Sequence, residues 1–260
     1  MDIFMKTISM QEKKNQSVML CKDVIKDVTL YHHTIISGSR MNFAPDAGGY
    51  RIMTLIQGIA EFVVGDKKYR FDERVTFIPD LDQSLTINAE TEVGLLEVFF
   101  EMTDEDYEEI VRYKAEFPYI QSYAAAKQYT DDAKTQKTIN RIMVEQRQIP
   151  RFAMGSVESY GPDFVQPHAH PLLDQFFFSF PENNMTVLID DDRIHLPGNT
   201  LLYIPLGSNH GVDVQDGEVM HYMWIDFMVD REKSMEMLDA GHVPTGLSRS
   251  FDDEVKNRKP

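Results

Sequence analysis

The sequence predicts an all-β protein: two jelly-roll barrels in tandem, with a few connecting and C-terminal helices. Three observations carry this. Runs of about five to eight β-branched and aromatic residues, punctuated by Gly, Asp, Asn and Pro, recur along most of the chain, as short antiparallel strands require. The runs also repeat. Arg74-Val75-Thr76-Phe77-Ile78-Pro79 returns as Thr200-Leu201-Leu202-Tyr203-Ile204-Pro205 at an offset of 126 residues. At the same offset Leu96-Glu97-Val98-Phe99-Phe100-Glu101-Met102 falls on Tyr222-Met223-Trp224-Ile225-Asp226-Phe227-Met228, and at 125 Phe62-Val63-Val64-Gly65-Asp66 resembles Val187-Leu188-Ile189-Asp190-Asp191. Three blocks so close to one register mean two copies of one domain.

The first barrel is expected over residues 1–120. A helix over Thr103–Phe117 follows its last strand, opened by Thr103 and Asp106 in capping-box spacing, with Tyr107, Ile110 and Val111 at helical spacing. Residues 121–150 read as a helical linker. Its helix runs from about Asp131 to Gln148, with Ile139, Ile142 and Met143 on one face, and Pro150 stops it. The second barrel spans 151–247 and carries a helix over Asp230–Ala240 that Gly241 ends. The tail, 248–260, is polar and is expected to fray.

Composition narrows the function classes. The chain has 260 residues, 42% of them hydrophobic, enough for real cores. Its 42 acids against 26 bases give a net charge of −16, which argues against a nucleic-acid partner. Cys21 is the only cysteine, so an intrachain disulfide is impossible and a cytoplasmic location is expected. The first residues lack the apolar stretch of a signal peptide, and no run approaches the roughly 20 apolar residues of a membrane helix.

The chemistry-bearing pattern lies in the second half. His168-Ala-His170 on an extended segment points two imidazoles to one side. Gln175 follows at the start of the next strand, and His210 comes thirty-five residues after it. These residues can close round one divalent ion. The oxygen ligand stays open between Gln175 and Asp174, since adjacent strand residues face opposite sides.

Around these residues the second copy resembles the cupin family, and two copies in one chain resemble a bicupin. The first motif reads Gly161-Pro-Asp-Phe-Val-Gln-Pro-His168-Ala-His170-Pro-Leu-Leu-Asp174-Gln175, and the second Gly198-Asn-Thr-Leu-Leu-Tyr-Ile-Pro205-Leu-Gly207-Ser-Asn-His210, with one extra residue after its first glycine. A narrower resemblance is to the 4-deoxy-uronate keto–aldo isomerases. It rests on the histidine pair, the aromatic strand Phe176-Phe177-Phe178-Ser179-Phe180 and the ending His221-Tyr-Met-Trp-Ile-Asp-Phe-Met-Val. That resemblance implies a metal in the C-terminal copy alone.

Three histidines and one oxygen suit Mn, Fe, Ni, Co or Zn with open positions for substrate. Such an ion acts as a Lewis acid on a small hydroxy or carbonyl metabolite, which suggests an isomerase or lyase. A cupin dioxygenase and a non-catalytic small-ligand-binding bicupin are the alternatives. On the last strand His221, Met223 and Ile225 share one face and Tyr222, Trp224 and Asp226 the other, so His221 and Tyr222 are both candidate catalytic residues. Glu158, Tyr160 and Tyr203 have weaker claims. In the first copy Ser84 stands at the place of His210, and adjacent His32 and His33 would diverge on a strand. That barrel is therefore expected to be metal-free, with Arg51 near the vacated ligand position. Asp190-Asp191-Asp192 reads as a solvated hairpin turn. An edge strand and aromatic outer faces that need covering suggest a homodimer.

Overall fold

The computed structural model describes residues 3–8, 14–45, 48–246 and 249. The chain divides into two compact units, Ile8–Ala124 and a second made of Met1–Thr7 with Ala125–Pro260. The short strand β1 (Met5–Thr7) thus precedes one unit in sequence and belongs to the other.

The unit Ile8–Ala124 holds β2 (Gln16–Lys22), β3 (Val28–Ile35), β4 (Arg40–Phe43), β5 (Gly49–Gln57), β6 (Ala60–Val64), β7 (Lys67–Phe71), β8 (Val75–Ile78), β9 (Leu85–Ala89), β10 (Val93–Glu101), α1 (Asp104–Tyr113) and β11 (Tyr119–Ser122). One sheet runs β11-β8-β5-β10-β3-β2 and the other β4-β9-β6-β7, all antiparallel. Ile35, Met53, Leu55, Phe62, Phe77 and Leu95 are among the fully buried residues of the core formed by the two sheets. The period-two alternation of β6 and β9, buried then half-buried, is what a strand with one face on that core requires. Helix α1 begins as expected: the Thr103 hydroxyl accepts from the Asp106 N–H, and the Asp106 carboxylate accepts from the Thr103 N–H at 2.8 Å. Lys114 in the left-handed region ends it, short of the expected Phe117.

The second unit holds β12 (Gln128–Thr130), β13 (Ile139–Val144), β14 (Phe152–Tyr160), β15 (Asp163–Ala169), β16 (Leu173–Ser179), β17 (Asn184–Ile189), β18 (Asp192–Pro197), β19 (Thr200–Ile204), β20 (Asn209–Val214), β21 (Val219–Met228), α2 (Arg231–Gly241) and β22 (Val243–Pro244). Its long path is β1-β19-β16-β21-β14-β13-β12-β22, and β15-β20-β17-β18 forms the facing part, joined to β21 through Asn184 and Val219. Asp230 caps α2 by accepting from the Lys233 N–H, and the helix ends at Gly241 as read from the sequence.

The internal repeat is a repeat of topology. β1-β19-β16-β21-β14-β13 matches β11-β8-β5-β10-β3-β2 strand for strand, and β15-β20-β17-β18 matches β4-β9-β6-β7. On the last strand the registers differ by one from the sequence blocks: Arg51 opposes Phe99 as Gln175 opposes Asp226, an offset of 127. A register shift between Gly94 and Leu95 accompanies it.

One expectation is overturned. Residues 131–148 form no helix, and 121–150 is no helical linker. Strand β12 and a turn precede β13, which is hydrogen-bonded to β14. β13 is buried on both faces, so its apolar residues follow no period of two, and Ile139, Ile142 and Met143 mimic a helical face. Thr135, Thr138 and Asn140 are weak helix formers that weigh the other way. The tail expected to fray lies, Arg249 apart, outside the described residues. No helix among the described residues is long and apolar enough to cross a membrane.

Candidate metal centre

His168 and His210 are opposed across β15 and β20, and His170 follows the end of β15. The backbones can come this close because position 211 is a glycine: a Cβ there would lie 2.7 Å from the Val165 carbonyl oxygen and 3.0 Å from the Pro167 nitrogen. The strand irregularity between Val165 and His168 sits at that approach. One ring nitrogen of each of His168, His170 and His210 lies within 4.8 Å of the others. Nε2 of His168 and Nε2 of His170 are 3.1 Å apart. Two nitrogens at right angles on one ion, each about 2.0–2.1 Å from it, would be separated by about 3 Å.

Backbone carbonyls orient two of the rings. Nδ1 of His168 faces the Gln166 carbonyl oxygen at 2.7 Å and Nδ1 of His210 faces that of Ser208 at 3.2 Å, which leaves Nε2 of each for a ligand. Burial, and then the neighbouring histidines, lower the pKa of His170 to about 3 and of His210 to about 4. Both are neutral near pH 7, with their lone pairs available.

Gln175 lines the same cavity and is buried. Its Nε2 donates to Asp226 Oδ1 at 2.6 Å, while its Oε1 is buried with no hydrogen-bond partner among the described residues. A buried carbonyl oxygen without a donor is rare in folded proteins and suits a cation. Asp174 points elsewhere and accepts from the Tyr203 hydroxyl at 3.0 Å. Of the two open choices, only Gln175 shares the cavity of the histidines. The residues present therefore fit a divalent ion held by His168, His170, His210 and Gln175.

The remaining wall comes from several elements. Phe177, Tyr222, Trp224 and Asp226 project from β16 and β21, Leu238 and His242 from α2 and its end, and Tyr129, Asp131 and Lys134 from β12 and the turn after it. Trp224 donates its indole N–H to the Tyr129 hydroxyl at 3.0 Å, and the His242 ring lies 4.3 Å from that of Tyr129. Burial raises the pKa of the Tyr222 phenol and keeps it protonated. Burial also raises Asp226 to about 7, against the opposing effects of its bond to Gln175 and of Lys134.

The inward face of β21 is thus the Tyr222, Trp224 and Asp226 set. His221, a candidate catalytic residue from the sequence, is placed on the opposite face and does not line the cavity. Its Nδ1 meets Glu182 at 2.6 Å and its Nε2 meets Glu158 at 3.3 Å, and Glu158 pairs with Arg141. Alternation along the strand puts Tyr222 in and His221 out. Glu158 belongs to that same buried ionic group. Asp131, Lys134 and His242 were not singled out in the sequence. A lone lysine in a loop and a histidine after a helix carry no spacing signal, and the sequence around Asp131 has the pattern of a helix start.

Among the described residues, the three histidines are the one group of at least three His, Cys, Asp or Glu side chains placed to hold a metal. In the first barrel Arg51 takes the register position of Gln175. Its Nε donates to Glu97 at 2.6 Å, and Glu97 also meets His33 Nε2 at 2.6 Å. Burial pushes the Glu97 carboxyl up, but His33 and Arg51 outweigh it and hold the pKa below the usual range. A cation already stands where an ion would need an oxygen.

No protein-family model and no curated protein matches the sequence. Solved structures do match the fold. An IolB-like protein from Salmonella typhimurium LT2 aligns with a TM-score of 0.68 at 14% identity, over 88% of this chain and 94% of that one. A cupin 2 conserved barrel domain protein from Leptotrichia buccalis gives 0.58 at 13%, over 85% and 92%. A deletion mutant of oxalate decarboxylase from Bacillus subtilis gives 0.63 at 11%, over 95% and 84%. At these identities the likeness establishes the cupin fold and leaves the chemistry to the site.

Proposed function

We propose that the protein is a metal-dependent enzyme whose second barrel acts on a small hydroxy or carbonyl metabolite, as an isomerase or lyase. One observation carries the reading: three convergent imidazoles share a cavity with the buried, unpartnered carbonyl oxygen of Gln175. A divalent Mn, Fe, Ni, Co or Zn ion held there supplies a Lewis acid for a carbonyl or hydroxyl oxygen. Because all four donors are neutral, they leave its charge undiminished, which strengthens that effect.

The chain supplies the rest. Asp226 fixes the Gln175 amide so that oxygen, not nitrogen, is left for the ion, since a carboxylate only accepts. Phe177, Trp224, Val165 and Leu238 exclude water, which strengthens electrostatic interactions inside. Tyr222, kept protonated by burial, is the proton donor of the set. His221 is given no catalytic part in this reading, because it faces away from the cavity.

Elemental analysis of the wild type beside His168→Ala and His210→Ala tests the proposal. About one ion per chain, lost in both variants, is the expected result. Isomerase and lyase assays on sugar acids and keto acids then follow, with oxygen uptake measured in parallel to separate a dioxygenase. A wild type that holds no ion after reconstitution sinks the reading.

A further inference from the structure

Lys134 is the cation inside this cavity. Its side chain is only 7% exposed. The ammonium pairs with Asp131 at 2.8 Å and lies 5.4 Å from the centre of the Tyr129 ring. Asp131 is its one side-chain hydrogen-bond partner among the described residues. An ammonium has three N–H donors, so two remain for whatever enters. The segment is anchored, since a bridge ties Lys134 to Val165 on the histidine strand and Gln166 donates its N–H to the Ala133 carbonyl at 2.7 Å. Lys134 therefore has a fixed place beside the ligand set.

Charge and space together define the ligand. Lys134 and Asp131 cancel, and the four donors to the ion are neutral. Even with Asp226 ionised, an occupied site keeps a net positive charge in a largely buried cavity. Such a charge needs a counter-charge, and the exposed side of the balance must come from the substrate. The cavity measures about 40 Å³, the room of about three water molecules. A space this small favours a short acid over a sugar chain.

Resting on the metal reading above, we propose that the substrate is a short 2-oxo or 2-hydroxy carboxylate, and that Lys134 is the residue that binds its carboxylate. The oxygen next to the carboxylate then falls to the ion. Lys134 is in this account a specificity-determining residue, and Asp131 positions it.

Calorimetric titration of the metal-loaded protein with pyruvate and with hydroxyacetone tests this, since the two share a ketone and differ in the carboxylate. Wild type should bind pyruvate at least about tenfold more tightly. Lys134→Met should lose at least about tenfold in pyruvate affinity, keep hydroxyacetone within about threefold and retain its ion. Removing the lysine strands Asp131, so Lys134→Met with Asp131→Asn is the second variant, in which neither charge is left alone. Metal content reads the metal proposal, and the difference between the two ligands reads the lysine. Chelator-treated protein separates them further: pyruvate binding that persists there and disappears in the variants supports the lysine without the ion. Pyruvate affinity unchanged in both variants, or no pyruvate binding by wild type in either form, overturns the proposal.

Discussion

Gln175 donates its amide N–H to Asp226 across β16 and β21 at 2.6 Å, and this one bond decides which end of the amide is left in the histidine cavity. The ionised carboxylate only accepts, so in that state Oε1 is the end left over, and it is buried without a partner among the described residues. Asp226 is thus to Gln175 what a carboxylate is to a metal-bound imidazole: the outer group that sets orientation. Asp226→Asn allows the amide to turn and should weaken metal binding by about 10–100-fold with the fold intact. Competition against a chelating dye measures it. Gln175→Leu should do at least as much, whereas unchanged affinity in both variants would remove Gln175 from the ligand set.

His221 makes the opposite prediction. It is held between Glu182 and Glu158, and Glu158 also pairs with Arg141, with all but Glu182 almost fully buried. Breaking one partner of such a group strands the others at a cost of about 3–5 kcal/mol. Arg141→Met should therefore lower the thermal midpoint sharply. His221→Ala should destabilise as well, while metal content and pyruvate affinity stay at wild-type values in the folded protein. A loss of bound ion in folded His221→Ala would return His221 to the site.

Acid should weaken the fold through His32. Both its ring nitrogens are buried without partners among the described residues, and burial, then the adjacent His33, holds its pKa down to about 4. The unfolded chain takes up a proton near the ordinary value of 6.5, so it binds more protons than the folded chain between these values. Stability from this group is complete above about pH 6.5 and is lost as the pH falls towards 4, by up to about 3 kcal/mol. His32→Leu should flatten that part of the profile, measured by urea unfolding at several pH values. An equal acid slope in wild type and variant would place the titration elsewhere.

Much of this was legible in the chain before its structure. His168, His170 and His210 stand in two spaced motifs, the strand blocks repeat, and Thr103 with Asp106 announces α1. Each is a local pattern with its own geometry. What stayed hidden depends on pairing. Whether Tyr222 or His221 faces in, and whether Gln175 or Asp174 does, is a matter of one residue of register, which only the neighbouring strands determine. β13 is buried on both faces and so carries no alternation to read. Lys134 reaches the cavity through a turn whose path is set by its bridge to Val165, a contact that no spacing encodes.

Gly211 joins fold to site. It stands on β20 directly after His210, where its backbone passes against β15 at the irregularity before His168. A methyl group there would lie 2.7 Å from the Val165 carbonyl oxygen and within about the same reach of the Pro167 ring, and these are backbone atoms that have no rotamer to escape into. Gly211→Ala must therefore push β15 and β20 apart, and the histidines they carry move with them. Since a ligand nitrogen must stay within a few tenths of an ångström of its place, metal affinity should fall by at least about tenfold. Much of the fold should survive, because the ladder between β17 and β20 lies on the other side of the strand. Metal competition and a thermal melt on the same sample separate the two effects. Wild-type affinity in Gly211→Ala would show that the spacing of β15 and β20 does not govern the histidine cluster.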